Sequence, residues 1–337
     1  MAPFGGHDGW DTSRTNRSNT DVYKENSTSY TPGYGSGTTT VAASGSYQFN
    51  KNTDWYSYNT NIEKFANPEN VDINLFASPG IDYTNNLTLV NETIEMIEDE
   101  RADSLYIVTA ENYKDQTTAT AVDALDDALL DSNYTATYWP WIQYNDTENN
   151  VRIYIPSTAE VLRNMALTDN VSFPWFATAG YNRGIVKATR VRTKLTQDNR
   201  DDLYEARINP IATFTATGPV IWGNKTLQST LSALDRINVR RLLLRARKLI
   251  SAVAVRLVFE QNDEVVRQEF LSLVNPILED IRRDRGLTDF RVVVSSDPEE
   301  IDQNKLTGKI YLKPTRSLEF IEIQFNVTPT ATSFDDI

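Results

Sequence analysis

The sequence predicts an α/β fold, a mainly parallel sheet with helices on its faces, in a chain of about two domains. Three observations predict it. Between residues 71 and 167 short apolar strands alternate with amphipathic helices, an order that calls for parallel strands joined by crossovers. The length of 337 residues suits two cores better than one. Hydrophobic residues make up 40% and charged residues 23%, a globular balance that excludes collagen-like, coiled-coil and wholly disordered chains.

Residues 1–50 are rich in Gly, Ser, Thr, Asn and Tyr without sustained period, and Thr31-Pro-Gly-Tyr-Gly-Ser-Gly-Thr is turn chemistry. They are expected to form a leader or a long surface loop. Val71-Asp-Ile-Asn-Leu-Phe-Ala alternates and is expected to end as a strand at Ser78-Pro79-Gly80. A helix capped by Thr84 follows to about Ala102, with Leu87, Val90, Ile94 and Ile97 on one face. Ser104–Ala110 reads as a buried strand and Thr118–Leu130 as a helix. Thr135–Tyr144 reads as one strand, Val151–Ile155 as the next, and Thr158–Leu167 as a helix.

A loop at Phe173–Gly184 leads into a weakly patterned basic stretch with Lys187, Arg190, Arg192 and Lys194. Gln197–Ala206 reads as a helix, and Ile211–Ala216 and Val220–Trp222 as strands separated by Gly218-Pro219. Two long helices, about Val239–Phe259 and Asp263–Arg285, are joined by so short a link that they are expected to be neighbours. Strands are expected at Phe290–Ser295, Gly308–Pro314 and Leu318–Val327.

Composition narrows the chemistry. Cysteine is absent, which excludes disulfides, thiol nucleophiles and thiolate metal sites. His7 is the single histidine, and it lies beside Asp8 in a Gly-rich leader without a second base or a positioned nucleophile. The carboxylate clusters at Glu95, Glu98, Asp99, Glu100 and at Asp123, Asp126, Asp127, Asp131 have the spacing of solvated helix faces. Gly218-Pro-Val-Ile-Trp-Gly-Asn-Lys-Thr resembles a phosphate loop, but Asn224 separates the second glycine from Lys225. Neither a cofactor nor a metal is expected. No apolar run is long enough to cross a membrane as a helix.

Residues 1–150 carry 7 basic against 23 acidic side chains, and residues 151–337 carry 26 against 23, so the halves hold −16 and +3. An acidic chain without a long basic tract is not expected to bind nucleic acid. The strongest basic pattern is Arg236, Arg240, Arg241, Arg245, Arg247, Lys248 and Arg256 along one helix. Arg240, Arg241, Arg245 and Lys248 fall on one side. Such a side is either a solvated face or a surface that meets an acidic protein.

Several of these stretches also resemble the contractile tail sheath proteins of bacteriophages. Gly5-Gly-His-Asp-Gly-Trp is similar to that family's Gly-Gly-x-Asp-Gly turn, and Val71-Asp-Ile-Asn-Leu-Phe-Ala-Ser-Pro-Gly to the strand after it. Tyr138-Trp-Pro-Trp-Ile with Ile155-Pro-Ser, and Phe173-Pro-Trp-Phe-Ala-Thr-Ala-Gly-Tyr-Asn-Arg-Gly, resemble its next signatures. Ile208-Asn-Pro-Ile, the Gly218 segment, Ile237-Asn-Val-Arg-Arg, Arg285-Gly-Leu, Gly308-Lys-Ile-Tyr-Leu-Lys-Pro-Thr and Phe320-Ile-Glu-Ile follow in the family's order.

The resemblance implies a subtilisin-like α/β domain without catalytic triad over residues 51–195. It implies a smaller α+β sheath C-terminal domain over 196–330 and a tail at 331–337. It implies a non-enzymatic subunit that polymerises as stacked six-fold rings around a tail tube and contracts to drive the tube through the host envelope. The implied partners are other sheath subunits, the tail tube protein, and baseplate and tail terminator proteins. The implied place is the virion tail, assembled in the host cytoplasm. Sheath chains carry an N-terminal arm before the Gly-Gly-x-Asp-Gly turn, so this chain is expected to lack that part.

Arg236, Arg240, Arg241, Arg245 and Lys248 become the expected tube-facing residues. Leu318, Phe320, Ile321, Ile323, Phe325 and Val327 become the expected strand that joins a neighbour's sheet. The alternatives are an acid-pair hydrolase using Asp/Glu, a sheath from a tailocin or secretion-type injection system, and a secreted adhesin.

Overall fold

The structure is a computed structural model and describes residues 53–111, 116–147, 150–215, 217–295, 303 and 305–319. The leader at 1–50, most of the Leu318–Val327 strand and the 331–337 tail lie outside the described residues.

The α/β alternation is present. Helix α1 (Thr53–Phe65) precedes β1 (Leu75–Asp82), α2 (Leu87–Glu95), β2 (Leu105–Thr109), α3 (Thr118–Ala128) and β3 (Thr135–Trp139). Then come β4 (Ile142–Asp146), β5 (Val151–Ile155), α4 (Thr158–Val171), α5 (Gly180–Arg183), β6 (Arg190–Val191) and α6 (Gln197–Glu205). Strands β7 (Ile208–Phe214) and β8 (Gly218–Ile221), helices α7 (Ile237–Ala254) and α8 (Glu264–Arg283), and strands β9 (Leu287–Val294) and β10 (Gly308–Pro314) complete it.

The main sheet has the order β1-β2-β3-β7-β8, with its first four strands parallel and β8 antiparallel. Every residue of β2 and β3 is buried, as a strand covered on both faces requires. Alternate side chains feed two cores. Tyr106, Val108 and Trp139 pack with α1, α2, α3 and Leu203 of α6. Leu105, Ile107 and Tyr138 pack with α4, with Ile142 of β4 and Val191 of β6, and with Ile237 and Leu244 of α7.

Four expectations are corrected. Strand β1 does not stop at Ser78-Pro79-Gly80. It bulges there, so that Ala77 pairs with Ile107 but Asp82 with Thr109, and Gly80 takes φ 90°, which a side chain would strain. The segment Thr135–Tyr144 is two strands, because Pro140 supplies no N–H and breaks the ladder. Strand β4 then pairs with β5 and β6 in a separate antiparallel sheet, β5-β4-β6.

The helix expected over Thr84–Ala102 starts at Leu87, and its last turn, Met96–Arg101, is π-helical. Buried Arg101 there binds Asp103 at 2.9 Å, the Val71 carbonyl at 2.7 Å and the Phe65 carbonyl. The boundary expected at 195/196 falls inside one structural unit, since β7 pairs with β3 and α6 packs on the same sheet.

The C-terminal unit is an α7–α8 hairpin, with Asp263 capping α8 through Val266 N at 3.0 Å, covered by the two-stranded β9–β10 sheet. Its core is Leu242, Ala246, Phe270, Val274, Leu278, Ile281 and Trp175, with Phe290, Val292, Ile310 and Leu312 packed on it. At the α8–β9 corner Gly286 has no room for a side chain. A Cβ there would lie 2.8 Å from Ile281, 3.0 Å from Leu242 and 3.1 Å from Trp175.

Candidate functional site

Two features invite function: the basic helix α7 and the small C-terminal sheet. The cations of α7 were expected to share one free face. The structure distributes them over partners distant in sequence. Arg236 caps the entry to α7 and donates to Glu319 at 2.7 Å, with Asp235 at 3.0 Å. Arg240 is buried, lies 3.7 Å from the Tyr134 ring centre and donates to the Asn133 carbonyl at 3.2 Å. Burial holds its guanidinium below the usual arginine value.

Arg241 is 4% exposed and binds both oxygens of Asp169, at 2.6 and 2.5 Å. Lys248 reaches Asp72 at 2.6 Å, the Ile73 carbonyl at 2.6 Å and Asp103 at 3.3 Å. Its hydrogen bond holds the Asp72 carboxyl below the usual carboxylate range. Arg245 and Arg247 remain exposed, the latter donating to the Ala102 carbonyl at 2.9 Å. The one-sided basic face is therefore not a free surface. Arg240, Arg241 and Lys248 hold α7 to the first unit, Arg236 is held by Asp235 and Glu319, and Arg245 stands in solvent.

The phosphate-loop resemblance dissolves in packing. Gly223 lies against Asn209, where a Cβ would meet the Asn209 Oδ1 at 2.7 Å. Asn224 donates to Asn238 at 2.8 Å and Thr226 to the Leu234 carbonyl at 3.0 Å. Lys225 donates to the Tyr204 carbonyl at 2.7 Å and sits 4.2 Å from its ring centre. Burial, then the neighbouring Arg236, hold the Lys225 ammonium below its usual value.

Glu319 was missed by sequence reasoning. It accepts from Arg236 and from the Tyr204 hydroxyl, both at 2.7 Å, and so clasps the segment after β10 to α6 and α7. Burial and that carboxylate push the Tyr204 hydroxyl well above its usual value.

The C-terminal sheet consists of β9 and β10 alone. Its inner side chains rest on the helices, whereas Val293 (37% exposed) and Tyr311 (59%) point outward, and each strand has one unpaired edge among the described residues. Of the expected joining strand, exposed Leu318 is described, and Phe320, Ile321, Ile323, Phe325 and Val327 lie outside the described residues.

Known proteins share this layout. The tail sheath protein of Vibrio phage KVP40 is 38% identical over 214 residues, covering 62% of this chain and 31% of that protein. That of Enterobacteria phage T4 is 33% identical over 214 residues, with the same two shares, 62% and 31%. The chain thus matches about a third of the length of these relatives. In fold, it resembles a chain of the contracted sheath complex of an extracellular contractile injection system, PVC. The TM-score is 0.68 at 22% identity, over 82% of this chain and 75% of that one. Residues 51–227 match the phage tail sheath protein central domain, and residues 229–328 the phage tail sheath C-terminal domain. The chain belongs to the phage tail sheath protein family, whose members are structural rather than enzymatic.

Proposed function

We propose that this chain is part of a contractile tail sheath subunit. It polymerises as stacked six-fold rings around a tail tube and contracts to drive the tube through the host envelope. It works in the virion tail, after assembly in the host cytoplasm, against other sheath subunits, the tube, and the baseplate and terminator proteins. Contraction needs no bound nucleotide when the extended lattice is the higher-energy assembly. Residues 53–221 serve as its subtilisin-like body, a reading supported by the parallel strands with helices on both faces.

One observation carries the reading beyond family membership. The β9–β10 sheet is too small to be stable alone, has a finished inner face and, among the described residues, offers an unpaired edge on each strand. Strands from neighbouring copies complete such a sheet, and the segment from Leu318 onward is the strand this chain contributes in return. The tube contact narrows to the exposed Arg245 with Arg247, because the other cations of α7 are held within the chain.

Electron microscopy of the protein in its full-length form tests the assembly. Tubes or polysheaths are expected, and monodisperse monomer under all conditions overturns the reading. Removing residues 320–337 is expected to abolish tubes while the fold persists by circular dichroism. Arg245→Glu with Arg247→Glu is expected to weaken attachment to the tube. Unchanged sheath assembly on the tube overturns that contact.

A further inference from the structure

The two faces of the main sheet carry opposite charge. On one side, α3 and α6 border a groove of about 890 Å³ with Ala119 and Val122 among its apolar lining and Asp123, Asp126, Asp202 and Glu205 among its acids. Helix α3 contains no basic residue. One cation, Arg207, also lines the groove, and it donates to the carbonyls of Leu130 and Leu227 at 3.2 and 2.7 Å. Arg200 lies over the Phe214 ring at 5.5 Å.

On the other side lies the β5-β4-β6 sheet, and β5 is its open edge among the described residues. Cross-strand register puts Tyr154, Gln143 and Arg190 in one row and Arg152 with Asn145 in the next, so these side chains share the outer face. Arg190 and Arg192 flank the Tyr154 ring at 6.0 and 4.9 Å. Neither β5 nor β6 contains a carboxylate. At the hairpin end, Val151 and Ile153 are 47% and 42% exposed, but they pair with Asp146 and Tyr144 and so project from the opposite face. A basic face built around a tyrosine is a surface for an acidic partner.

We propose that this partner is the α3–α6 groove of a second copy, so that the β4–β6 face of one copy docks into the groove of the next. The charges are complementary, with arginines around Tyr154 on one surface and carboxylates along the other. Within one chain the two surfaces sit on elements packed against opposite faces of the main sheet, and they come nearest where Arg192 is followed by the groove residue Thr193. The contact is heterologous, and contacts of that kind propagate from copy to copy instead of closing as a pair. The inference rests on the sheath reading and adds to it a second body-to-body interface, distinct from the strand exchange at β9–β10.

These 337 residues contain no cysteine, so introduced thiols report without background from this part of the protein. In the full-length protein, Ala119→Cys mixed with Asn145→Cys, on the face of Arg152, is expected to give heterodimers with a bismaleimide. The double variant is expected to give a ladder, and neither single variant alone should cross-link. Asp126→Arg with Asp202→Arg is expected to reduce the ladder roughly tenfold or more, as is Arg152→Glu with Arg190→Glu. All four reversals in one chain are expected to restore it. Tubes that form without this cross-link, or a ladder indifferent to the reversals, overturn the interface and leave the sheath reading standing. Monomer under every condition overturns the sheath reading itself.

Discussion

The body and the C-terminal unit solve the same problem differently. In the body, β2 and β3 are buried on both faces, and helices from the same chain close both layers. In the C-terminal unit, β9 and β10 bury one face on α7 and α8 and, among the described residues, leave the other face and both edges open. The body is specified by its own sequence, whereas the small sheet is stable only as an appendix to two helices. Helix α7 joins them: Ile237 and Leu244 face the core of the body, Leu242 and Ala246 the C-terminal core.

The largest expected effects test whether the two cores are one unit. Ile107 and Leu278 are both 0% exposed, one in the body core that α7 joins and one in the C-terminal core. Ile107→Ala and Leu278→Ala are each expected to cost ~2–5 kcal/mol. Because α7 belongs to both cores, both variants are expected to shift one shared transition in denaturant melts. Two separate transitions would break the comparison.

Next comes the ion pair on α7. Arg241→Met leaves Asp169, which is 29% exposed, without its partner. The expected loss is ~1–3 kcal/mol, smaller than for a fully buried pair because water still reaches the carboxylate. A double-mutant cycle with Asp169→Leu measures it, and a coupling near zero would show that the pair does not hold α7 to α4.

Glu319→Gln removes the charge from the clasp to Tyr204 and Arg236. The expected loss is ~1 kcal/mol, with faster hydrogen exchange at residues 315–319 and little change in the body.

The smallest effect concerns Asp82, which accepts from Asn85 N and Nδ2, both at 2.8 Å. Burial raises its carboxyl above the ordinary aspartate value of 3.8, so the native state holds this proton more tightly than the unfolded chain does. The group therefore costs stability at neutral pH. That cost disappears as pH falls through the raised native value, and the change is complete below 3.8. Relative to Asp82→Asn, the wild type is expected to gain stability on acidification across that window. A parallel profile for the two proteins would show that the burial has no energetic consequence.

Much of the fold was legible because local periodicity reports local structure. The bounds of β2, α3 and α6 fall within two residues of those expected from their apolar patterns, whereas α4 runs to Val171, past the expected Leu167. What escaped depended on distant partners. Strand β1 outlasts Ser78-Pro79-Gly80 because β2 waits beside it on the far side of the bulge. Strand β7 joins the first sheet through pairing with residues about 70 positions earlier. The spacing of Arg240, Arg241 and Lys248 was read correctly, but Asp169, Asp72 and the Tyr134 ring lie far away in sequence. Sequence spacing shows which side chains lie side by side on a helix. Which of them remain free depends on the rest of the molecule.

The filled corner at Gly286 has a mechanical meaning. Its amide bonds to the Ile281 carbonyl at 2.8 Å, its carbonyl receives Thr315 N at 3.0 Å, and Trp175 beside it donates to the Asp284 carbonyl at 3.0 Å. With no slack at the root of the small sheet, a pull on β9 or β10 passes through the corner into α8 and the Trp175 loop. The corner acts as a weld in a load path.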